Sequence, residues 1–259
     1  MSTINIDQIK ALRDESGVSI MQCRKALEEA EGDMEKARVI LSKKSSEAAA
    51  KKSERETSAG LVVTVQMPKK MAIFTLLCET DFVAKNDDFI KLTNDLSSII
   101  SENGIDVMQD QAESLISPVI QKIGENIRIG KVEEISGDIL GSYVHNGKSG
   151  VIVSIEGGTL ELARDIAMHI AAMRPLYTTS SDIDETATVA ANSVFEEEIA
   201  ALDKPEDMKA KILAGKLDAY FKEMTLMNQS FIKNPEIKIE KLLANYNAKL
   251  IEYKSAFLG

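Results

Sequence analysis

The chain has 259 residues, of which 44% are apolar and 28% charged. That is enough for about two domains and excludes a wholly disordered chain. Its formal net charge of −10, with a pI near 4.9, repels phosphate. This argues against nucleic acid as a direct partner and for a basic protein surface.

Residues 1–43 show three short helical patterns. Asn5 and Gln8 have capping-box spacing at the start of the first, and Ser19 and Gln22 repeat it for the second. Gly17 and Gly32 punctuate the gaps, and Asp33 caps the third. Ile6, Ile9 and Leu12 share a face; so do Cys23, Ala26, Leu27 and Ala30, and then Ala37, Ile40 and Leu41. Three faces of this size make one small core, too small for a catalytic pocket. Residues 42–59 are rich in Lys, Ser, Glu and Ala and read as a solvated linker with some helix.

From Gly60 the pattern changes to strands. Residues 60–67 and 71–78 are β-branched and apolar around Pro68-Lys69-Lys70, which predicts a hairpin. A helix follows, with Phe89, Leu92, Leu96, Ile99 and Ile100 on one stripe. Residues 112–124 look helical, with a break near Pro118, and 127–136 look like a strand. Residues 139–145 and 150–155 form a second strand pair around Asn146-Gly147-Lys148-Ser149. A second helix carries Leu160, Ala163, Ile166, Ala167 and Ile170. The order strand, turn, strand, loop, helix thus occurs twice.

The copies differ in their last loop. Only Gly157-Gly158 separates strand from helix in the second, whereas Glu79 to Asp87 intervene in the first. Loops run over the surface and usually avoid large apolar groups, yet this one holds Phe82 and Val83. Either Phe82 folds back into its own core, or it is an apolar anchor for another protein's pocket. Farther on, 184–203 and 206–226 are helical and split by Lys204-Pro205. An antiparallel hairpin would bring Val189, Val194, Ile199 and Leu202 against Met208, Ile212, Leu217 and Phe221. A helix near 238–247 and a strand near 249–257 close the chain.

The search for chemistry is mostly negative. No Gly-x-x-x-x-Gly-Lys-Ser/Thr loop and no Gly-x-Gly-x-x-Gly turn occurs. Cys23 and Cys78 are too few for a disulfide framework or a cysteine zinc site, and are expected as reduced thiols. His145 and His169 have no metal-ligand spacing. His169, inside an apolar helix, is expected to be packed, and His145, beside a glycine turn, is a candidate contact. Cys78, Asp81 and His145 form an imaginable nucleophile, acid and base, but a thiol ending an apolar strand is usually inert. Glu196-Glu197-Glu198 reads as a solvated helix face rather than a metal site. No enzyme activity, metal or cofactor is therefore expected. The residues Met1 to Asn5 lack the basic-then-apolar order of a signal peptide. No apolar run approaches the ~20 residues of a membrane span. A cytoplasmic location is expected.

The loop Thr80-Asp81-Phe82-Val83-Ala84-Lys85-Asn86 closely resembles the signature loop of the bacterial elongation factor Ts family. So do Cys23-Arg24-Lys25-Ala26-Leu27 and Glu31-Gly32-Asp33 with its N-terminal motif. Gly141-Ser142-Tyr143-Val144-His145 and Ala167-Met168-His169-Ile170-Ala171 resemble its core. The matches fall in the right order over almost the whole chain. The chain departs at Gln22, where the family usually has Asp, and at Ser230 in Gln229-Ser230-Phe231, where it usually has Pro.

The resemblance implies an α+β fold. A three-helix domain like ubiquitin-associated (UBA) domains, with its linker, covers 1–55. A core of two α+β subdomains with small antiparallel sheets covers 56–139 and 140–259, with a protruding helical hairpin at 184–227. It further implies a guanine nucleotide exchange factor for elongation factor Tu. Thr80, Asp81, Phe82 and Val83 are then the residues that enter the partner near its Mg²⁺, with His145 a further contact. The competing class is a plain adaptor with a UBA-like module and no effect on nucleotide.

Overall fold

A computed structural model describes residues 5–202 and 204–258. Most of the N-terminal segment inspected for a signal, and Asp203 in the expected 184–203 helix, lie outside them. The fold is mixed α+β, and its contacts divide it into two compact units. One runs to Ile135 and takes in Val144–Gly150 and the chain from Lys254; the other is Ser136–Tyr143 with Val151–Tyr253.

The first unit begins with α1 (Ile6–Ser16), α2 (Ile20–Glu29) and α3 (Met34–Ala50). Asn5 and Gln8, and Ser19 and Gln22, make full capping boxes, and Asp33 accepts from the Lys36 N–H. Gln22 thus serves the helix start with its own side-chain oxygen, 3.1 Å from the Ser19 N–H. Leu12, Val18, Cys23, Ala26, Leu27, Ala37 and Leu41 form the small core. Ile6, expected on that face, is exposed at the first position of its helix. Helix α3 carries on to Ala50, into the segment read as a linker with some helix. Its buried Ser45 hydroxyl bonds Gln121, and Lys52 Nζ donates to the Ile120 carbonyl.

Strands β1 (Ala59–Met67) and β2 (Lys70–Cys78) pair antiparallel, with Met67 opposite Lys70. The loop is therefore two residues, Pro68 and Lys69, the latter at φ 57°. A short turn of helix, α4 (Asp81–Ala84), leads into α5 (Asp87–Asn103) and α6 (Ile105–Ile123). Helix α6 begins seven residues before the stretch that looked helical, and Met108 in that added part is fully buried. It also runs through Pro118 without ending. The proline removes only the bond to the carbonyl of Ser114, which lies on the exposed side of the helix where water can serve it. Strand β3 (Ile127–Ser136) joins β2 to give the order β1-β2-β3. Phe74, Leu76, Phe89, Leu96, Ile100 and Met108 are the centre of this core.

The second sheet has the order β4-β5-β8. Strands β4 (Ile139–His145) and β5 (Ser149–Glu156) meet at a turn closed by Lys148 N–H to the His145 carbonyl, 2.9 Å. Asn146 and Gly147 both have positive φ there, the conformation that suits the twist of a tight hairpin. Helix α7 (Leu160–Met173) follows. In both sheets the second hairpin strand is central, so the repeat read from element order is present in the topology. Leu160, assigned to the apolar face, is exposed, and the buried face is Leu162, Ala163, Ile166, Ala167 and Ile170.

Between α7 and the last strand come α8 (Glu185–Ala200) and α9 (Glu206–Met224). Phe195 meets Tyr220 edge-on at 5.6 Å, and Glu198 pairs with Lys216. Advancing on one helix while retreating on the other makes the hairpin antiparallel, as expected. Its contact face agrees in part: Ile199 is buried and Ile212, Leu217 and Phe221 are half-buried as expected, whereas Val189, Val194, Leu202 and Met208 are exposed and Phe195 joins the face instead. An aromatic ring and an isoleucine at i and i+4 outweigh a valine one residue off the stripe. Strands β6 (Ser230–Phe231) and β7 (Asn234–Lys238), helix α10 (Ile239–Asn245) and β8 (Lys249–Phe257) complete the chain. Among the described residues no helix is long and apolar enough to cross a membrane.

His169 is fully buried in this second unit. The Ile232 N–H donates to its Nδ1 at 3.3 Å, so the ring proton sits on Nε2 and donates to Gln229 Oε1 at 2.9 Å. Gln229 is oriented in turn by donating from Nε2 to the Glu223 carbonyl at 2.7 Å. Burial lowers the His169 pKa, and the Gln229 bond offsets this only in part. The folded pKa thus lies below the unfolded value of about 6.5, so the unfolded chain takes up the proton first as pH falls. The stability from neutral His169 is present above about pH 6.5 and is lost as pH drops below it. Melting curves between pH 7.5 and 5 should show wild type losing more stability than His169→Gln, by at most about 1.4 kcal/mol per pH unit. Parallel curves for the two proteins would contradict this.

Candidate functional site

The loop after β2 is a pinned turn, not a slack connection. Thr80 caps α4, its Oγ1 accepting from the Val83 N–H at 3.4 Å. Asn86 caps α5 by accepting from the Asp88 N–H at 2.9 Å. Val83 and Ala84 are buried in the first-unit core beside Cys78 and Phe89. Neighbouring helical residues point about 100° apart, so seating Val83 inward turns Phe82 outward. Phe82 is 82% exposed, the most exposed of the large apolar side chains among the described residues. The alternative in which Phe82 folds back into its own core does not occur.

Asp81 stands beside Phe82 and is exposed. Lys85 Nζ lies 3.1 Å from its carboxylate. That hydrogen bond and charge hold the Asp81 carboxyl below its ordinary range, and the charge of Lys148 adds to it. Asp81 is therefore a solvated anion at neutral pH. The turn borders a groove of about 530 Å³ lined by Gly60, Leu61, Thr80, Phe82, Asn146 and Lys148, among others.

Thr80, Asp81, Phe82 and Val83 are thus brought together on one turn, three outside and one as its anchor. His145 lies at the end of β4, exposed, its Nε2 3.3 Å from Asn146 Nδ2. It does not line the groove; its neighbours Asn146 and Lys148 do. Cys78 is buried, its thiol donating to the Thr80 carbonyl at 3.2 Å. Burial first, then the nearby Glu125 carboxylate, push its pKa up to about 12. Little thiolate forms at neutral pH, and a thiol is a weak nucleophile without it. Glu196, Glu197 and Glu198 are exposed. Among the described residues no group of three or more His, Cys, Asp or Glu side chains could hold a metal ion.

Sequence reasoning missed Glu79, Glu125 and Asn126, which hold the base of the turn. Glu125 accepts from both the N–H and the hydroxyl of Thr80, at 3.0 and 2.7 Å. Glu79 accepts from the Asn126 N–H at 2.6 Å and pairs with Arg55 at 3.3 Å. These partners are 45 and 47 residues apart, with no periodic pattern joining them.

Fold and site together are those of an α+β protein that presents one rigid, apolar-tipped turn to solvent. A family model described as Elongation factor TS matches residues 79–259. Elongation factor Ts of Hahella chejuensis is 34% identical over 258 residues, covering 97% of this chain and 90% of that one. Elongation factor Ts of Hydrogenobaculum is 36% identical over 252 residues, covering 92% of each. That of Ralstonia pickettii is 35% identical over 268 residues, covering 100% of this chain and 91% of its own. The chain belongs to the elongation factor Ts family, and so to the elongation factors of protein synthesis.

Proposed function

We propose that the chain is a guanine nucleotide exchange factor for elongation factor Tu and that Phe82 is its wedge. The observation that carries this reading is an exposed aromatic side chain on a turn fixed at its base and along its buried side. Ordering a large apolar group before it meets its partner lowers the cost of binding. Aromatic anchors with polar neighbours are the usual centres of interface energy.

In the GTPase, Mg²⁺ bridges phosphate oxygens and neutralises their charge, so nucleotide affinity depends on the ion and its supports. Phe82 enters a cleft between two helices near that site and holds them apart. Asp81, as an anion beside it, displaces polar groups that support the ion. Thr80 shapes the turn and Val83 anchors it. The three N-terminal helices and the second unit supply further docking area, and His145 is a candidate contact. Factor and nucleotide then weaken each other's binding reciprocally. Every 1.4 kcal/mol of coupling is about tenfold in nucleotide affinity. Fresh nucleotide and Mg²⁺ release the factor. No bond is made or broken, so the protein acts without an enzyme active site, cofactor or resident metal. Its net charge of −10 suits a protein partner rather than direct contact with nucleic acid or an anionic membrane, and its work lies in the cytoplasm.

The test is release of a fluorescent GDP from elongation factor Tu in a stopped-flow instrument. Addition of this chain should accelerate release in a saturable way. Binding without acceleration would identify an adaptor instead.

A further inference from the structure

Two short segments far apart in sequence meet at the base of the Phe82 turn. Glu79-Thr80 follows β2, and Glu125-Asn126 follows α6. Each glutamate accepts the backbone N–H of the residue after the other. Glu125 Oε2 takes the Thr80 N–H at 3.0 Å, and Glu79 Oε1 takes the Asn126 N–H at 2.6 Å. Asn126 is buried, and its Nδ2 donates to the carbonyls of Ser53 and Arg55 at 3.3 and 2.8 Å. The second segment is thereby tied to the chain entering β1 as well.

The Thr80 hydroxyl shows what this exchange does. A hydroxyl has one proton and two lone pairs. Its proton goes to Glu125 Oε1 at 2.7 Å, which leaves a lone pair for the Val83 N–H. Glu125 therefore sets the hydroxyl direction that caps the turn carrying Phe82. Both of its bonds involve an ionised acceptor, the stronger kind.

We infer that Glu125 is a positioning residue for exchange, and that with Glu79 it forms a reciprocal carboxylate clamp that holds Phe82 ready to dock. This rests on the exchange reading above. A turn without the clamp still reaches the partner through the rest of the molecule. It must then be ordered during insertion, so the loss falls on the rate of release within the complex and not on the half-saturating concentration.

The experiment compares Glu125→Ala, Glu125→Gln, Thr80→Ala and the Thr80/Glu125 double alanine variant with wild type and with Phe82→Ala. Glu125→Ala should lower the maximal GDP release rate about tenfold, since each tenfold is about 1.4 kcal/mol and one charge-assisted bond is of that order. The half-saturating concentration should change less than about threefold. Glu125→Gln keeps one acceptor and should fall between Ala and wild type, which also covers failure of the alanine variant to fold. The double variant should be slowed by less than the product of the two single effects, because the bond between the Thr80 hydroxyl and Glu125 is lost in both singles. The Thr80 amide should exchange with deuterium faster in Glu125→Ala at an unchanged melting temperature. A wild-type maximal rate for Glu125→Ala alongside a slow Phe82→Ala would overturn the clamp and leave the wedge standing. A wild-type rate for Phe82→Ala would remove the wedge reading and the clamp's role with it.

Discussion

Phe82→Ala should slow GDP release from elongation factor Tu about thirtyfold at saturating factor while the fold melts where wild type does. The two halves of that expectation have separate physical grounds. With 82% of its surface exposed, the side chain fills no part of the core, so its removal leaves no cavity. Val83 and Ala84, which do anchor the turn, are untouched. For a central aromatic anchor, truncation costs about 2 kcal/mol or more, and each 1.4 kcal/mol is tenfold. The loss belongs to the step in which the ring enters the cleft, so extra factor should not restore the rate. Stopped-flow traces over a concentration series decide it. A plateau equal to wild type would show that docking elsewhere drives release.

Gly141→Ala should be among the most destabilising single substitutions in the second unit, at about 3 kcal/mol. A Cβ on Gly141 falls 2.4 Å from the Ala163 carbonyl carbon and 2.5 Å from the Arg164 nitrogen. Both are backbone atoms of α7, so no side chain can swing away to make room. Strand β4 must lift from the helix, and the fit against Ala163 and its neighbours opens. Urea unfolding measures the loss, with Gly215→Ala in α9 as the control. A Cβ there meets nothing within 4 Å. A helical glycine replaced by alanine should gain up to about 1 kcal/mol. Equal midpoints for Gly141→Ala and wild type would mean that β4 and α7 are less closely seated than these distances require.

Much of this protein was legible because the signals act over a few residues. Asn5 with Gln8, Ser19 with Gln22, and Asp33 cap helices within one turn of themselves. The turn at Asn146-Gly147 needs only its own positive φ angles. Alternation and stripes place β1, β2, β4, β5 and α5, and the twice-repeated order of elements predicts two similar sheets. The motif Thr80 to Asn86 marks the loop that matters, and Phe82 and Val83 mark it as unusual for a loop.

Sequence alone did not decide which way those two residues face. Phe82 and Val83 are equally apolar on paper. Only the core containing Cys78 and Phe89 decides that Val83 goes in and Phe82 goes out. The same holds for Ile6, Leu160, Val189 and Val194, exposed although their spacing suits a buried face, because burial needs a neighbour that periodicity cannot supply. The bonds that hold the turn are also tertiary. Glu125 reaches Thr80 across 45 residues, and His169 reaches Gln229 across 60. Local hydrogen bonding and period determined the elements and singled out the turn. Its outward ring and the clamp beneath it arise only when distant segments meet, where a carboxylate finds a backbone donor it could not have had in an isolated helix or strand.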